Sequence, residues 1–258
     1  MTYEEILLQQ EEQVATIILN RPEKRNALSL QLLEELTDAL QSFCKDKETR
    51  VVVLKGAGPC FSAGHDLSEM VGKDIIHYKK IFETCSEMMK WLQKIPQPTI
   101  AQVHGVAMAA GCQLVAASDL AVAEEGARFS TPGVKIGLFC ITPSVPLSRA
   151  IGRKRALEML LTGRLISAQD AFEYGLINRV VPPDQLEATT QDLIESILTS
   201  SPLTIRIGKQ AFYSQISMPD DLAYNYATNT IALDLATRDA QEGISAFLEK
   251  RPPRWESR

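Results

Sequence analysis

Three short stretches carry the residue types from which a reaction site can be built. FSAGHDL (Phe61 to Leu67) sets His65 and Asp66 after a run of small residues. GVAMAAGCQL (Gly105 to Leu114) is small and apolar except for Gln113. GLFCITP (Gly137 to Pro143) carries Cys140. FSAGHDL reads as a turn at Gly64 with Asp66 capping a helix. It reads equally as a place where small residues let a ligand touch backbone, leaving the His65 N–H free to donate. GVAMAAGCQL reads as a tightly packed buried helix. Its first-turn N–H groups lack intrahelical partners, so a ligand oxygen could also reach them beside Ala109, Ala110 and Gly111. Two such donors, one from each loop, would polarise a carbonyl oxygen. A thiolate at Cys140 could act as a nucleophile, but an ordinary thiol is mostly protonated at neutral pH.

Other chemistries find less support. GAGPCFSAG (Gly56 to Gly64) follows an apolar strand, yet Phe61 stands where a dinucleotide fingerprint needs a small residue. No G-x-S-x-G elbow is present, and the three histidines (His65, His77, His104) have no identifiable triad. The five cysteines are widely spaced, without C-x-x-C, so neither zinc nor a disulfide framework is expected, and no metal is assigned.

The 258 residues are enough for a sizeable core, and 45% are hydrophobic. A net charge of -5 argues against nucleic acid as a partner and leaves room for a small anionic ligand on a local basic patch. The acidic N-terminus lacks the features of a signal or transit peptide, and no apolar run is long enough for a membrane span. A soluble, cytoplasmic protein is the expectation.

Periodicity supplies the elements that must position these residues. Val14 to Asn20, Arg50 to Gly56 and Thr99 to Gly105 read as strands, the second buried on both faces because it does not alternate. Leu32, Leu33, Leu36, Ala39, Leu40 and Phe43 share a helical face behind a plausible N-cap, Ser29. Ile75 to Ile95 is a longer helix, AAGCQLVAAS a short buried one, and DLAVA and ARFST are short strands. After about residue 142 helices dominate, beginning with RKRALEMLLTG. The order is that of an α/β part followed by an all-helical part.

Taken together, LNRPEKRNAL, FSAGHDL, QPTIAQVHGVAMAAGC, ASDLAVAEEGARFSTP, LEMLLTGRLISAQDAFEYGLINRVV and EGISAFLEKRPP resemble the crotonase, or enoyl-CoA hydratase/isomerase, superfamily in order and spacing over nearly the whole chain. AGCQL, TPGV and GLFC particularly resemble the subgroup around enoyl-CoA hydratase domain-containing protein 3. The resemblance implies an α/β fold: a β-β-α spiral over residues 1–195, then a helical oligomerisation region over 196–258 that builds a trimer or a dimer of trimers. It implies an acyl-CoA ligand, with no cofactor beyond the coenzyme A of the substrate. It places the carbonyl-polarising donors at the N–H groups of His65 and Ala110. It places CoA contacts at Lys24, Arg25, Ala63, Asp66 and Leu67, with Phe247 and Lys250 completing the site, in some members from a neighbouring subunit. The two glutamates that hydratases use would stand at Gln113 and Gly133. An amide has no usable pKa and glycine has no side chain, so polarisation is implied here without efficient water addition. A non-catalytic acyl-CoA binder or partner subunit is the alternative.

Overall fold

The structure, a computed structural model, describes residues 3–257. A hairpin of β1 (Ile6–Glu11) and β2 (Val14–Leu19) opens the chain, followed by α1 (Leu30–Ser42). Next come β3 (Val51–Gly56) and α2 (Ile75–Lys94), then β4 (Thr99–Val103), β5 (Val106–Met108) and α3 (Ala110–Ala117). After β6 (Leu120–Glu124) and β7 (Arg128–Ser130) run α4 (Ile141–Ile151) and α5 (Arg153–Thr162). The strands β8 (Ile166–Ser167) and β9 (Arg179–Val181) flank α6 (Ala168–Tyr174). Four helices close the chain: α7 (Leu186–Leu198), α8 (Pro202–Gln215), α9 (Asp220–Leu235) and α10 (Arg238–Glu249).

The main sheet has the order β1-β2-β3-β4-β6-β9, parallel from β2 onward, and a small sheet has the order β5-β7-β8. Isolated parallel bridges, Leu28 with His65 and Ser62 with Ala107, continue the small sheet back toward the first helix. Each turn therefore lays one segment in the large sheet and one in the small sheet before passing to a helix. That is the β-β-α spiral the sequence resembles.

The expected apolar faces are the ones buried. Ser29 caps α1 by accepting from the Leu32 N–H, and Leu32, Leu33, Leu36, Ala39, Leu40 and Phe43 lie in the main core with Leu28, Leu54 and Phe61. Strand β3 fails to alternate because it is covered twice. Val52 and Leu54 face that core, while Val51 and Val53 meet Ile100 and Ile194 under α7. Helix α8 is tied to the spiral by the buried Lys209 ammonium, 2.7 Å from the Asp119 carboxylate. Lys209 also donates to the Leu92 and Gln97 carbonyls, and the Tyr213 hydroxyl donates to Asp119.

Candidate active site

The FSAGHDL loop and the start of α3 meet. Leu28 donates to the Gly64 carbonyl (2.7 Å) and accepts from the Asp66 N–H (3.1 Å). In a parallel bridge that pattern turns the N–H of the residue between, His65, away from Leu28. The next segment is held in the same manner: Ser62 donates to Val106 and accepts from Met108. Ala109 donates to the Ser130 carbonyl and Gln113 donates to the Ala109 carbonyl, leaving the Ala110 N–H as the first of α3. Among the described residues neither the His65 N–H nor the Ala110 N–H has a hydrogen-bond partner. Gly64, at φ +97°, sits between them. A Cβ built on it would lie 3.0 Å from the Ala109 Cβ and 3.4 Å from the Ala110 nitrogen. Any side chain there would fill the space between the loops.

Ala110 itself has ordinary helical backbone. The strain that a non-glycine residue meets in this stretch falls one position earlier, on Ala109 at φ +46°. A non-glycine residue in such a conformation costs roughly 1–3 kcal/mol and is held by its surroundings. Here the Ala109–Ser130 hydrogen bond does the holding.

The side chains around this junction are poor in proton chemistry. The His65 ring packs edge-on against Phe82, and its nitrogens make no well-formed hydrogen bond. Burial pushes its pKa down to about 4, offset only in part by the Leu28 backbone, so the ring is neutral at pH 7. Gln113 is buried, and its Oε1 has no hydrogen-bond partner; the same holds for the Thr131 hydroxyl. Cys140, at the N-cap of α4, is buried, and burial raises its thiol, with the Gly133 backbone opposing in part. The thiol of Cys112 is pushed up to about 12 by burial and then by Cys140. Gly133 has no room for a side chain, since its Cβ would lie 2.1 Å from the Leu138 carbonyl oxygen and 2.8 Å from the Cys140 sulfur. The other histidines are committed to backbone, His77 to Glu69 and His104 to Gly58.

The sequence profile of the enoyl-CoA hydratase/isomerase family matches residues 9–258. The chain belongs to that family. Enoyl-CoA hydratase domain-containing protein 3, mitochondrial, of Danio rerio is 46% identical over 252 residues, covering 96% of this chain and 86% of the relative. Among solved structures, an enoyl-CoA hydratase of Mycobacterium smegmatis is 45% identical with a TM-score of 0.96, covering 98% of this chain and 99% of its own. Human enoyl-CoA hydratase domain-containing protein 3 is 42% identical with a TM-score of 0.95, over 98% of this chain and all of its own. The crotonase fold and the likeness to the domain-containing protein 3 subgroup thus agree with the sequence. The word mitochondrial belongs to the relative's name and lends nothing to the cytoplasmic expectation. No described helix is long and apolar enough to cross a membrane.

Of the positions where the family resemblance places coenzyme A, one set lies together. The loop of Lys24 and Arg25 packs on FSAGHDL, with Ala63 donating to the Arg25 carbonyl at 2.9 Å. Both basic side chains are exposed and make no ion pair among the described residues. The carboxylate of Asp66 is already spent. It caps the turn Leu67–Glu69 through Ser68 and pairs with Arg21 at 3.0 Å. Burial alone would raise its pKa, but Ser68 and Arg21 hold it below the usual carboxylate range. The Asp66 backbone is engaged too, its N–H donating to the Leu28 carbonyl and its carbonyl accepting from the Glu69 N–H, while Leu67 beside it is exposed. Phe247 and Lys250 lie at the end of α10, which packs on α8 and α9 within one chain.

Two residues that brace this junction were not singled out in the sequence. Asn26, buried at φ +53°, accepts from the Arg21 N–H and donates to the Ala57 and Cys60 carbonyls, while its own carbonyl accepts from the Ser62 hydroxyl. Arg21 is the other. The polar run RPEKRNA marks a turn, but nothing in it says which polar residues face inward.

Proposed function

We propose that this chain binds acyl thioesters of coenzyme A and polarises the thioester carbonyl between the His65 and Ala110 N–H groups, without efficient hydration of enoyl-CoA. The observation that carries this reading is the meeting of two unspent backbone donors across Gly64. Donors fixed by the fold need no reorganisation as negative charge grows on the oxygen, and one such donor is worth about 10²–10³-fold in rate. Lys24 and Arg25 would supply positive charge to the CoA phosphates, with Phe247 and Lys250 of a neighbouring copy in a trimer or a dimer of trimers. Against hydration stand a buried amide at 113, no side chain at 133, a neutral His65 and a protonated Cys140. Acid–base groups contribute roughly 10²–10⁴-fold, and none with a suitable pKa stands at this junction. The cramped backbone at Gly133 also favours a second reading, a non-catalytic acyl-CoA binder or partner subunit, because the position has no space for a proton-handling side chain.

Calorimetry and the decay of enoyl thioester absorbance test the proposal. Acetyl-CoA should bind more tightly than the matching pantetheine thioester, and crotonyl-CoA should be hydrated very slowly or not at all. Equal affinities remove the CoA assignment. Brisk hydration shows that another group moves the proton. Turnover on a panel of acyl-CoAs separates the enzyme from the pure binder.

A further inference from the structure

We infer that Arg21 is a positioning residue for the His65 N–H, a role that rests on the reading of that N–H as a carbonyl-polarising donor. The Arg21 side chain is only 14% exposed and lies between two carboxylates, with Nε 3.0 Å from Glu5 and an NH2 group 3.0 Å from Asp66. Its remaining NH1 donates to the Ala27 carbonyl at 2.6 Å. Ala27 precedes Leu28, and Asp66 follows His65. Leu28 and His65 form an isolated bridge, not part of a continuous strand, in which Leu28 donates to the Gly64 carbonyl and accepts from the Asp66 N–H. The guanidinium therefore grips both sides of that bridge at once, from outside it.

The backbone of Arg21 joins the same brace, donating to the Asn26 side chain and accepting from the Asn26 N–H. Glu5 is anchored in turn by its contact with the Ser29 hydroxyl at the start of α1. A planar fork meeting two carboxylates and a carbonyl fixes direction as well as distance, which an ammonium on a flexible stem does not. The direction being fixed is that of the peptide unit between Gly64 and His65, whose N–H must aim at an oxygen to polarise it. Arg21 is spent on protein partners, so it acts through His65.

The test is the infrared stretch of a carbonyl-labelled butyryl-CoA at saturating protein, with the S-butyl thioether of CoA as a ligand that lacks the carbonyl. Wild-type protein should lower the stretching frequency. Arg21→Gln should lose most of that shift while still binding the thioether, and Arg21→Lys should recover part of it. A wild-type shift in a folded Arg21→Gln protein overturns the proposal. If that variant does not fold, a full shift in Arg21→Lys overturns it, because the fork is then unnecessary. Loss of thioether binding in the folded variants also overturns it, since Arg21 would then be holding the whole CoA site. No shift in the wild type overturns the reading of the donors themselves, a distinct failure that removes this role with it.

Discussion

At position 133 the obstacle to a carboxylate is space. Gly133 has no positive φ, so its backbone would accept any residue, but a Cβ would sit 2.1 Å from the Leu138 carbonyl. Gly133→Glu should therefore behave as an overpacked variant, costing about 1–3 kcal/mol or more, and a thermal melt should show the loss. Position 113 differs. Gln113 already has a long side chain, buried on the first turns of α3, with its Oε1 unpartnered. Gln113→Glu changes one atom and would install a proton acceptor on the helix whose first N–H is the proposed donor. Its carboxyl would be desolvated, and desolvation raises a carboxyl pKa. Hydration of crotonyl-CoA should rise by about tenfold or more, less than the roughly 10²–10⁴-fold of a full acid–base pair. Because the base works when deprotonated, the gained rate should climb with pH through a value above the ordinary Glu pKa of about 4.3. A Gln113→Glu protein no faster than wild type at any pH would mean that 113 does not face the acyl group.

Among the elements, the clasp between α8 and the spiral makes the sharpest demand on the sequence. Asp119 accepts from the Thr99 N–H and hydroxyl, from Tyr213 and from Lys209, whose side chain is 6% exposed. Removing one partner of a buried pair strands the other, at about 3–5 kcal/mol. Lys209→Met should thus lower the melting temperature by roughly 10 °C, at about 2–4 °C per kcal/mol for a domain of 150–250 residues. Lys209→Met with Asp119→Asn should cost less than the sum of the two single changes. Additive costs would show that the pair is not coupled. This clasp joins residues 90 positions apart, and a sequence shows Asp119 only as the start of a strand. The long periodic elements were legible, as α1 shows through its leucine stripe and its Ser29 cap. Helix α4 was not, because Pro143 and Pro146 within it argue against a helix, while the structure tolerates Pro146 inside one. The three-residue β5 and β9 and the two-residue β8 are too short for any alternation to be seen. Strand β1 also went unseen, because five of its six residues are not buried and no apolar pattern marks it. The junction across Gly64 was legible as two loops of small residues; their meeting depends on the bridges of the small sheet.

For the molecule as a whole, the C-terminal helices are out of balance with water. Helix α9 has no buried residue, yet it carries Leu222, Tyr224, Ile231, Leu233 and Leu235, of which Tyr224 and Leu233 are 75% and 74% exposed. On α10, Phe247 is 82% and Leu248 74% exposed. A helix apolar on several faces is stable when several surfaces cover it, and contiguous apolar patches of this kind mark interaction sites. A second copy of the chain on one side and a third on another would cover such helices. Light scattering at micromolar concentration should accordingly give the mass of three or six chains. Leu233→Asp with Ile231→Asp places charge in the expected contacts without touching an assigned CoA residue, and burying an unpaired charge is costly enough to shift assembly toward the single chain. The same assembly bears on the ligand. Phe247 and Lys250 are exposed at the end of α10, whose main contacts within one chain are with α8 and α9, and we expect them to reach coenzyme A from the adjoining copy. The dissociated double variant should then bind acetyl-CoA more weakly than the assembled wild type, although Lys24 and Arg25 are untouched. A wild-type monomer, or a dissociated variant that binds acetyl-CoA as well as wild type does, would assign the whole CoA site to one chain.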